Sequence, residues 1–139
     1  MTYRIVVGVD GSEHSSAALR WALSEAECHS GTVTAVLAWQ VPFLSFPGAF
    51  DRDELEKAYK DFLIETVSGI APRPAVPLET LVAEGDPTEA MVEASKDANL
   101  LVLGIRGRSP FAGLLLGSVS QGAAATAHCP VVLVKRTDD

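Results

Sequence analysis

Glycine and serine residues recur at characteristic spacings in residues 104–120, GIRGRSPFAGLLLGSVS. Two residues separate Gly104 from Gly107, nine separate Gly107 from Gly117, and Ser118 follows directly. Glycine lets the main chain approach phosphate oxygens closely, and free amides at the start of a helix donate hydrogen bonds to anions. The spacing therefore predicts an anion-binding loop that leads into a helix.

We expect this loop to bind its anion mainly through main-chain amides. The predicted amide donors are those of Gly107, Gly117, Ser118, Val119 and Ser120. The hydroxyls of Ser118 and Ser120 would add donors, and Arg106 would add positive charge at the rim. The alternative is that Gly117 and Ser118 only cap a helix, and that Gly104 only ends a strand.

Asp10 places a carboxylate at the end of the first apolar run, within the sequence DGSEHS. At the end of a strand, a carboxylate can accept hydrogen bonds from ribose hydroxyls or help to hold a divalent cation. The alternative role is an Asx turn or a cap for the following helix. The two roles are compatible with each other.

Strand-like and helix-like segments alternate along the chain. Buried-strand character is found in residues 4–10, 32–41, 78–84, 100–104 and 131–135. Apolar residues at helical spacing predict helices over residues 15–28 and 53–68. Asp86, Pro87 and Glu89 suit the cap and first turn of a third helix. A fourth helix should run from Gly117 or Ser118 to about residue 128.

This alternation predicts an α/β fold, with a parallel sheet covered by helices on both faces and joined by right-handed crossovers. Ligands of such sheets bind outside the carboxyl ends of the strands, where the strand order reverses. The sequences GVDGS and GIRGRS follow the first and fourth strands, so both should enter that crevice. The end of the second strand should lie nearby.

Length and charge narrow the classes of function. A chain of 139 residues fits a single domain spanning residues 1–139. The formal net charge is −7, from 18 acidic and 11 basic residues, and it disfavours nucleic acid as a partner. A small phosphate ligand would need local backbone donors or a metal ion.

No apolar stretch approaches the roughly 20 residues of a membrane span, and the N-terminus enters a core strand directly. We therefore expect a cytoplasmic protein without a membrane partner. Cys28 and Cys129 match no metal or redox spacing, and we expect both to be buried apolar side chains. The long irregular segment of residues 42–53 is either a lid or interface, or a partly packed connection.

Three sequence features together resemble the universal stress protein family of the ATP-binding kind. They are VGVDGS near the N-terminus, the G-x2-G-x9-G-S spacing from Gly104 to Ser118, and the ending CPVVLVKR. The resemblance covers all 139 residues. The glycine-serine spacing is the family's ATP motif and is the most specific of the three.

The resemblance implies a three-layer α/β/α fold with a five-stranded sheet in the order 3-2-1-4-5 and an adenine nucleotide over strands one and four. Asp10 would meet the ribose or Mg²⁺, while Val9 and the backbone near Ala38 would flank the adenine. The sugar-phosphate path would be lined by Gly104, Arg106 and Gly107. The phosphates of ATP would be held by Gly117, Ser118, Val119 and Ser120.

The resemblance also implies a homodimer, which often pairs through the last strand at residues 131–135. An apolar last strand left unpaired would be an exposed edge prone to association, which agrees with that arrangement. The alternative is an edge strand covered by its own helix.

No Ser-His-Asp order, metal-ligand cluster or G-x4-G-K-S loop occurs in the sequence. We expect His14 to face solvent, since one titratable group without a partner forms no catalytic set. Together with this absence, the family resemblance implies a nucleotide-dependent binding module of the stress response that binds other proteins, with any ATP hydrolysis slow and incidental. The alternatives are an ATP-hydrolysing or nucleotide-transferring enzyme, an AMP or cyclic-nucleotide binder, and a nucleotide-free structural dimer.

Overall fold

The computed structural model describes residues 2–41, 48, 51–106 and 116–136. Strands and helices alternate along the described chain, as the sequence predicts. The elements are β1 (Arg4–Gly8), α1 (Glu13–Cys28), β2 (Thr32–Trp39), α2 (Arg52–Ile70), β3 (Leu78–Glu84), α3 (Pro87–Ala94), β4 (Leu100–Gly104), α4 (Ser118–Thr126) and β5 (Val131–Val134). Gly107 and most of the segment 42–53 lie outside the described residues.

The five strands form one parallel sheet in the order β3-β2-β1-β4-β5, which confirms the predicted fold class and strand order. β1 occupies the centre: Val6 pairs with Thr34 of β2 on one side and with Leu101 of β4 on the other. The chain passes from β1 to β2 on one side, and β4 is added on the other. The strand order therefore reverses between β1 and β4.

Two apolar layers cover the sheet, one on each face. The layer under α1 and α2 includes Ile5, Val7, Leu19 and Leu63. The layer under α3 and α4 includes Val6, Val36, Met91, Leu101 and Ala123. Since successive residues of a strand point to opposite faces, residues 5–7 of β1 and 100–103 of β4 meet an apolar layer whichever face they point to. This explains their unbroken hydrophobic runs.

Side chains cap three of the four helix starts. Ser12 Oγ accepts a hydrogen bond from the Ser15 amide at α1, and the Asp51 carboxylate accepts from two amides at α2. At α3, Asp86 accepts from the Glu89 amide, which confirms the predicted cap. α4 begins after Gly117 and has no side-chain hydrogen bond at its start.

The structure corrects several details of the sequence-based expectations. β1 ends at Gly8 rather than at residue 10, because the chain turns at Asp10 and starts α1 at Glu13. Cys28 is exposed and Cys129 is half-buried, so the two are not both core residues. Cys28 follows the buried Ala26 by two positions, which places it on the opposite side of α1. None of the helices in the described ranges combines the length and apolarity of a membrane span.

Truncating a core side chain should destabilise the domain far more than truncating a surface one. Leu101 is 0% exposed in the centre of one apolar layer, so Leu101→Ala should lower the free energy of unfolding by about 3 kcal/mol. Ile64 is 52% exposed, so Ile64→Ala should cost less than about 1 kcal/mol. Urea unfolding followed by circular dichroism measures both, and equal losses would contradict the assigned core.

Candidate functional site

A cleft of about 250 Å³ opens at the carboxyl ends of β1 and β4. Nine of the ten predicted site residues line it, and the tenth, Gly107, lies outside the described residues. The nine are Val9, Asp10, Ala38, Gly104, Arg106, Gly117, Ser118, Val119 and Ser120. The structure thus brings together residues that are far apart in the sequence.

Asp10 forms one wall of the cleft. Its Oδ1 accepts a hydrogen bond of 2.9 Å from the Ser12 amide, which is the Asx turn considered for this residue. The helix cap itself is Ser12, while the Asp10 amide donates to Ser15 Oγ at 3.2 Å. Among the described residues, the Ser12 amide is the sole hydrogen-bond partner of the half-buried carboxylate. Oδ2 can therefore accept a hydrogen bond from a ligand or coordinate a cation.

Gly11 makes this turn possible. Its φ is +87°, a conformation that disfavours residues with a side chain. The ring of Phe62 from α2 would lie 2.9 Å from a Cβ placed on Gly11. Phe62 therefore lies against the turn that follows Asp10.

The start of α4 forms the opposite wall. The amide of Gly117 donates to the Ile105 carbonyl at 2.7 Å, which ties the start of the helix to the end of β4. The described residues offer no hydrogen-bond acceptor to the amides of Ser118, Val119 and Ser120. Free amides in a first helical turn carry a partial positive charge, so this wall can bind an anion.

The Ser120 hydroxyl has a different role from the predicted one. Ser120 is only 3% exposed, and its Oγ donates a hydrogen bond of 2.7 Å to the Gly104 carbonyl. Its single hydroxyl proton is therefore used within the protein rather than offered to an anion. This bond joins α4 to the last residue of β4 and helps to fix the orientation of the free amides.

Gly104 lets α1 approach the end of β4. A Cβ at this position would lie 2.7 Å from the carbonyl carbon and from Cβ of His14. His14 is half-buried, and its Nδ1 accepts a hydrogen bond of 3.1 Å from the Arg136 amide. The expectation that His14 faces solvent is therefore wrong, because the absent side chain at Gly104 lets the first turn of α1 pack onto the sheet.

The other end of the cleft is apolar. Val9 is 2% exposed, and its amide donates to the Val36 carbonyl at 2.9 Å, so it continues the course of β1. Sequence analysis missed several lining residues, namely Gly8, Ser15, Val36, Leu37, Pro87, Met91 and Leu103. The sequence did predict the start of α3, which contains Pro87 and Met91. Because a helix that follows β3 begins at the carboxyl edge of the sheet, these two residues could have been expected near the cleft.

Sequence comparison gives consistent relatives. A family model described as the universal stress protein family matches residues 1–135. A universal stress protein of Mycobacterium tuberculosis is 33% identical over 135 residues, which cover 96% of this chain and 45% of that protein. The chain thus spans about half the length of that relative. A universal stress protein of Thermus aquaticus is 33% identical over 134 residues, covering 94% of this chain and 97% of the relative.

Structural comparison gives neighbours of the same kind. The universal stress protein UspA of Lactobacillus plantarum superposes with a TM-score of 0.80 at 26% identity, covering 95% of this chain and 97% of that one. A universal stress protein in complex with cAMP has a TM-score of 0.72 at 28% identity, covering 98% of both chains. A universal stress protein of Archaeoglobus fulgidus in complex with dAMP has a TM-score of 0.71 at 27% identity, covering 96% and 98%.

Removing the Ser120 hydroxyl should destabilise the protein. Ser120→Ala leaves the Gly104 carbonyl without this bond in a half-buried site, at a cost of about 1–3 kcal/mol in the free energy of unfolding. Ser118→Ala is the matched control, because Ser118 is exposed and its hydroxyl has no partner among the described residues. Chemical denaturation measures both variants. A Ser118→Ala variant as unstable as Ser120→Ala would refute the assigned roles of the two hydroxyls.

Proposed function

The chain belongs to the universal stress protein family, and on that premise we propose that it binds an adenine nucleotide in the cleft between β1 and β4. The ligand is ATP with Mg²⁺, and the protein acts in the stress response as a nucleotide-dependent binding module. Nucleotide binding changes the conformation or assembly of a homodimer that binds other proteins in the cytoplasm.

The uncapped start of α4 is the observation that carries this proposal. The other three helices begin with a side-chain cap, and two of those caps are carboxylates, Asp51 and Asp86. Of the four helices in the described ranges, only α4 presents a glycine cap and free amides to the cleft. In a protein with a net charge of −7, such a local group of donors is what a phosphate requires.

Each part of the nucleotide has a counterpart among the lining residues. Val9 and the backbone near Ala38 flank the base, and Asp10 binds the ribose or the cation. The sugar-phosphate path is lined by Gly104 and Arg106. The sequence assigns Gly107, which lies outside the described residues, to the same path. The phosphates bind the amides of Ser118, Val119 and Ser120 beside Gly117. The Gly117 amide itself is not a donor to them, contrary to the sequence-based expectation, because it is bonded to the Ile105 carbonyl.

A single carboxylate fits the role proposed for Mg²⁺. The described residues contain no group of three or more His, Cys, Asp or Glu side chains that could hold a metal ion. Magnesium in nucleotide sites is usually held by one or two carboxylates together with phosphate oxygens and water, and it neutralises phosphate charge. Asp10 therefore suits a cation that arrives with the nucleotide.

A second candidate is a protein selective for AMP or a cyclic nucleotide. Two of the structural neighbours are complexes with cAMP and dAMP, which each carry one phosphate. The amides of α4 can serve one phosphate as well as several. Direct comparison of the nucleotides separates this candidate from the ATP binder.

Binding rather than catalysis suits the cleft. Asp10 is the one carboxylate among its described lining residues, and the nearby His14 ring already accepts a hydrogen bond from the Arg136 amide. General acid–base catalysis needs a positioned group that can exchange a proton with the substrate. We therefore propose that the protein is not an enzyme and that any hydrolysis is slow. Steady turnover above a metal-free blank would identify the enzymatic alternative.

The proposed dimer pairs through β5, at residues 131–135. β5 lies at one end of the strand order, and its four residues are half-buried. The amide of Leu101 in β4 donates to the Pro130 carbonyl, and the amide of Ile105, just after β4, donates to the Val134 carbonyl. Even-numbered residues therefore direct their main-chain groups toward β4, and the odd-numbered residues of β5 direct theirs away from the sheet. Those groups can pair with a second copy.

Blocking the start of α4 should remove nucleotide binding from a folded protein. Gly117 has a φ of −73°, which any residue can adopt, so Gly117→Val should fold while its side chain obstructs the free amides. At 100 times the dissociation constant, ATP should stabilise the wild type by about 2.7 kcal/mol and the variant by close to nothing. Thermal unfolding with ATP, AMP, cyclic AMP and GTP, each with Mg²⁺, measures this.

Gly69→Val is the control for that experiment, since Gly69 lies in α2 and a Cβ there would meet nothing within 4 Å. It should keep the full nucleotide response. Undiminished stabilisation of a folded Gly117→Val protein by ATP would exclude the proposed phosphate site. A wild type that responds to no nucleotide, after mass spectrometry has excluded copurified ligand, would favour the structural dimer.

A proline at the outer edge of β5 should disrupt the dimer. The amide of Val131 points away from β4, so Val131→Pro removes a donor that the protomer does not use, at the first residue of the strand where proline is tolerated. Light scattering should show the mass falling from two chains to one. Val131→Ala, which keeps the amide, should stay dimeric. A dimer that persists in Val131→Pro would contradict pairing through β5.

A further inference from the structure

A second groove of about 320 Å³ lies on the surface between β3 and α3. Its apolar part is formed by Leu81 and Ala83 of the strand and by Ala90 and Ala94 of the helix. Leu81 is 47% exposed and belongs to neither apolar layer of the core, whereas the three alanines pack at the margin of one layer. A large apolar side chain thus remains uncovered by the described residues.

The main chain of β3 is unpaired along one side. β3 ends the strand order and pairs with β2 alone in the described sheet. The Pro77 carbonyl accepts from β2 at 3.0 Å and the Gly85 amide donates to β2 at 2.8 Å. Since alternate residues of a strand direct their main-chain groups to opposite sides, residues 78, 80, 82 and 84 point theirs outward. An exposed row of this kind is a template for an added strand.

Negative charge surrounds the groove. Four of its lining residues are carboxylates and none is a lysine or arginine. Glu84 is paired with Arg52, and Glu93 with Lys96 at 2.7 Å. The hydrogen bond from Lys96, together with its positive charge, lowers the pKa of Glu93, so this carboxyl is ionised at neutral pH.

Two carboxylates of the groove, Asp86 and Glu89, have no cationic partner among the described residues. Asp86 caps α3, and its Oδ2 accepts a hydrogen bond of 3.1 Å from the Glu89 amide. The Glu89 side chain is exposed and has no ion-pair partner among the described residues. An occupant of this groove therefore gains from positive charge near the start of α3 and from an apolar side chain over Leu81.

We propose that β3 and α3 form a docking site for an extended, lysine- or arginine-containing segment of a partner protein, which adds a strand beside β3. The main chain of the segment pairs with the outward groups of residues 78–84. One of its apolar side chains covers Leu81, and a basic side chain lies beside Asp86 and Glu89. This surface is separate from the nucleotide cleft and from β5 at the other end of the sheet.

A proline in the middle of β3 tests this directly. The Thr80 amide points outward, so Thr80→Pro removes a donor needed by an added strand while leaving the bonds to β2 in place. The probe is a short fluorescein-labelled peptide of alternating valine and lysine, followed by fluorescence anisotropy. Thr80→Pro should weaken its binding by at least about tenfold, whereas Thr80→Ala should stay within about twofold of wild type.

A charge-reversal pair tests the electrostatic part. At low salt, Glu89→Lys should weaken binding of the valine-lysine peptide by about tenfold relative to wild type. The difference in affinity should shrink as salt is added. Glu65→Lys makes the same change in net charge on the exposed side of α2, across the sheet, and should have little effect. Leu81→Lys should also weaken binding, and it serves as the edge variant if Thr80→Pro does not show the wild-type melting transition.

The proposal is overturned if the Thr80→Pro and Leu81→Lys proteins both bind the peptide as tightly as wild type does. It is also overturned if Glu65→Lys weakens peptide binding as much as Glu89→Lys does. It is also overturned if a peptide of alternating valine and glutamate binds equally well. Self-association that disappears in Thr80→Pro would show that the occupant is a second copy of this chain instead of a basic partner.

Discussion

The single direction of all five strands is the constraint on which the rest of the molecule depends. Parallel strands place every carboxyl end at one edge of the sheet, and the helices must return the chain to the opposite edge. Because β1 is central and its neighbours β2 and β4 are reached in opposite directions, the segments after β1 and β4 diverge. The cleft lies in the gap between them, with Asp10 on one wall and the start of α4 on the other.

Absent side chains determine how closely these walls approach. A Cβ at Gly8 would lie 2.7 Å from Leu103 and 3.1 Å from Met91, so β1 and α3 can be close neighbours there. Gly104 has the same effect for β4 and α1, and Gly11 for the turn that holds Asp10. Three of the glycines thus serve contacts between elements.

The N-terminal starts of α3 and α4 differ in charge, although both helices cover the same face of the sheet. α3 begins under the Asp86 carboxylate, which uses one of its free amides, and its outer side carries Glu89 and Glu93. α4 begins under a glycine and keeps its amides free. One helix start thus suits cations and the other suits anions. α3 also lines both surface sites: Pro87 and Met91 line the nucleotide cleft proposed above, and Ala90 and Ala94 line the groove beside β3.

The sequence by itself determined the type and order of the elements and indicated most of the residues that line the candidate cleft. Unbroken apolar runs, helical spacing and the Asp86 cap gave all nine elements, and the glycine-serine spacing pointed to the start of α4, since these are local patterns of residue type. Only the tertiary structure decided which groups remain free. The Ser120 hydroxyl donates to the Gly104 carbonyl. The His14 ring accepts a hydrogen bond from the Arg136 amide, and one Asp10 oxygen accepts one from the Ser12 amide. The β3 groove likewise exists because α3 packs beside the edge strand β3. Such pairings depend on distances between elements remote in the chain, which residue spacing does not encode.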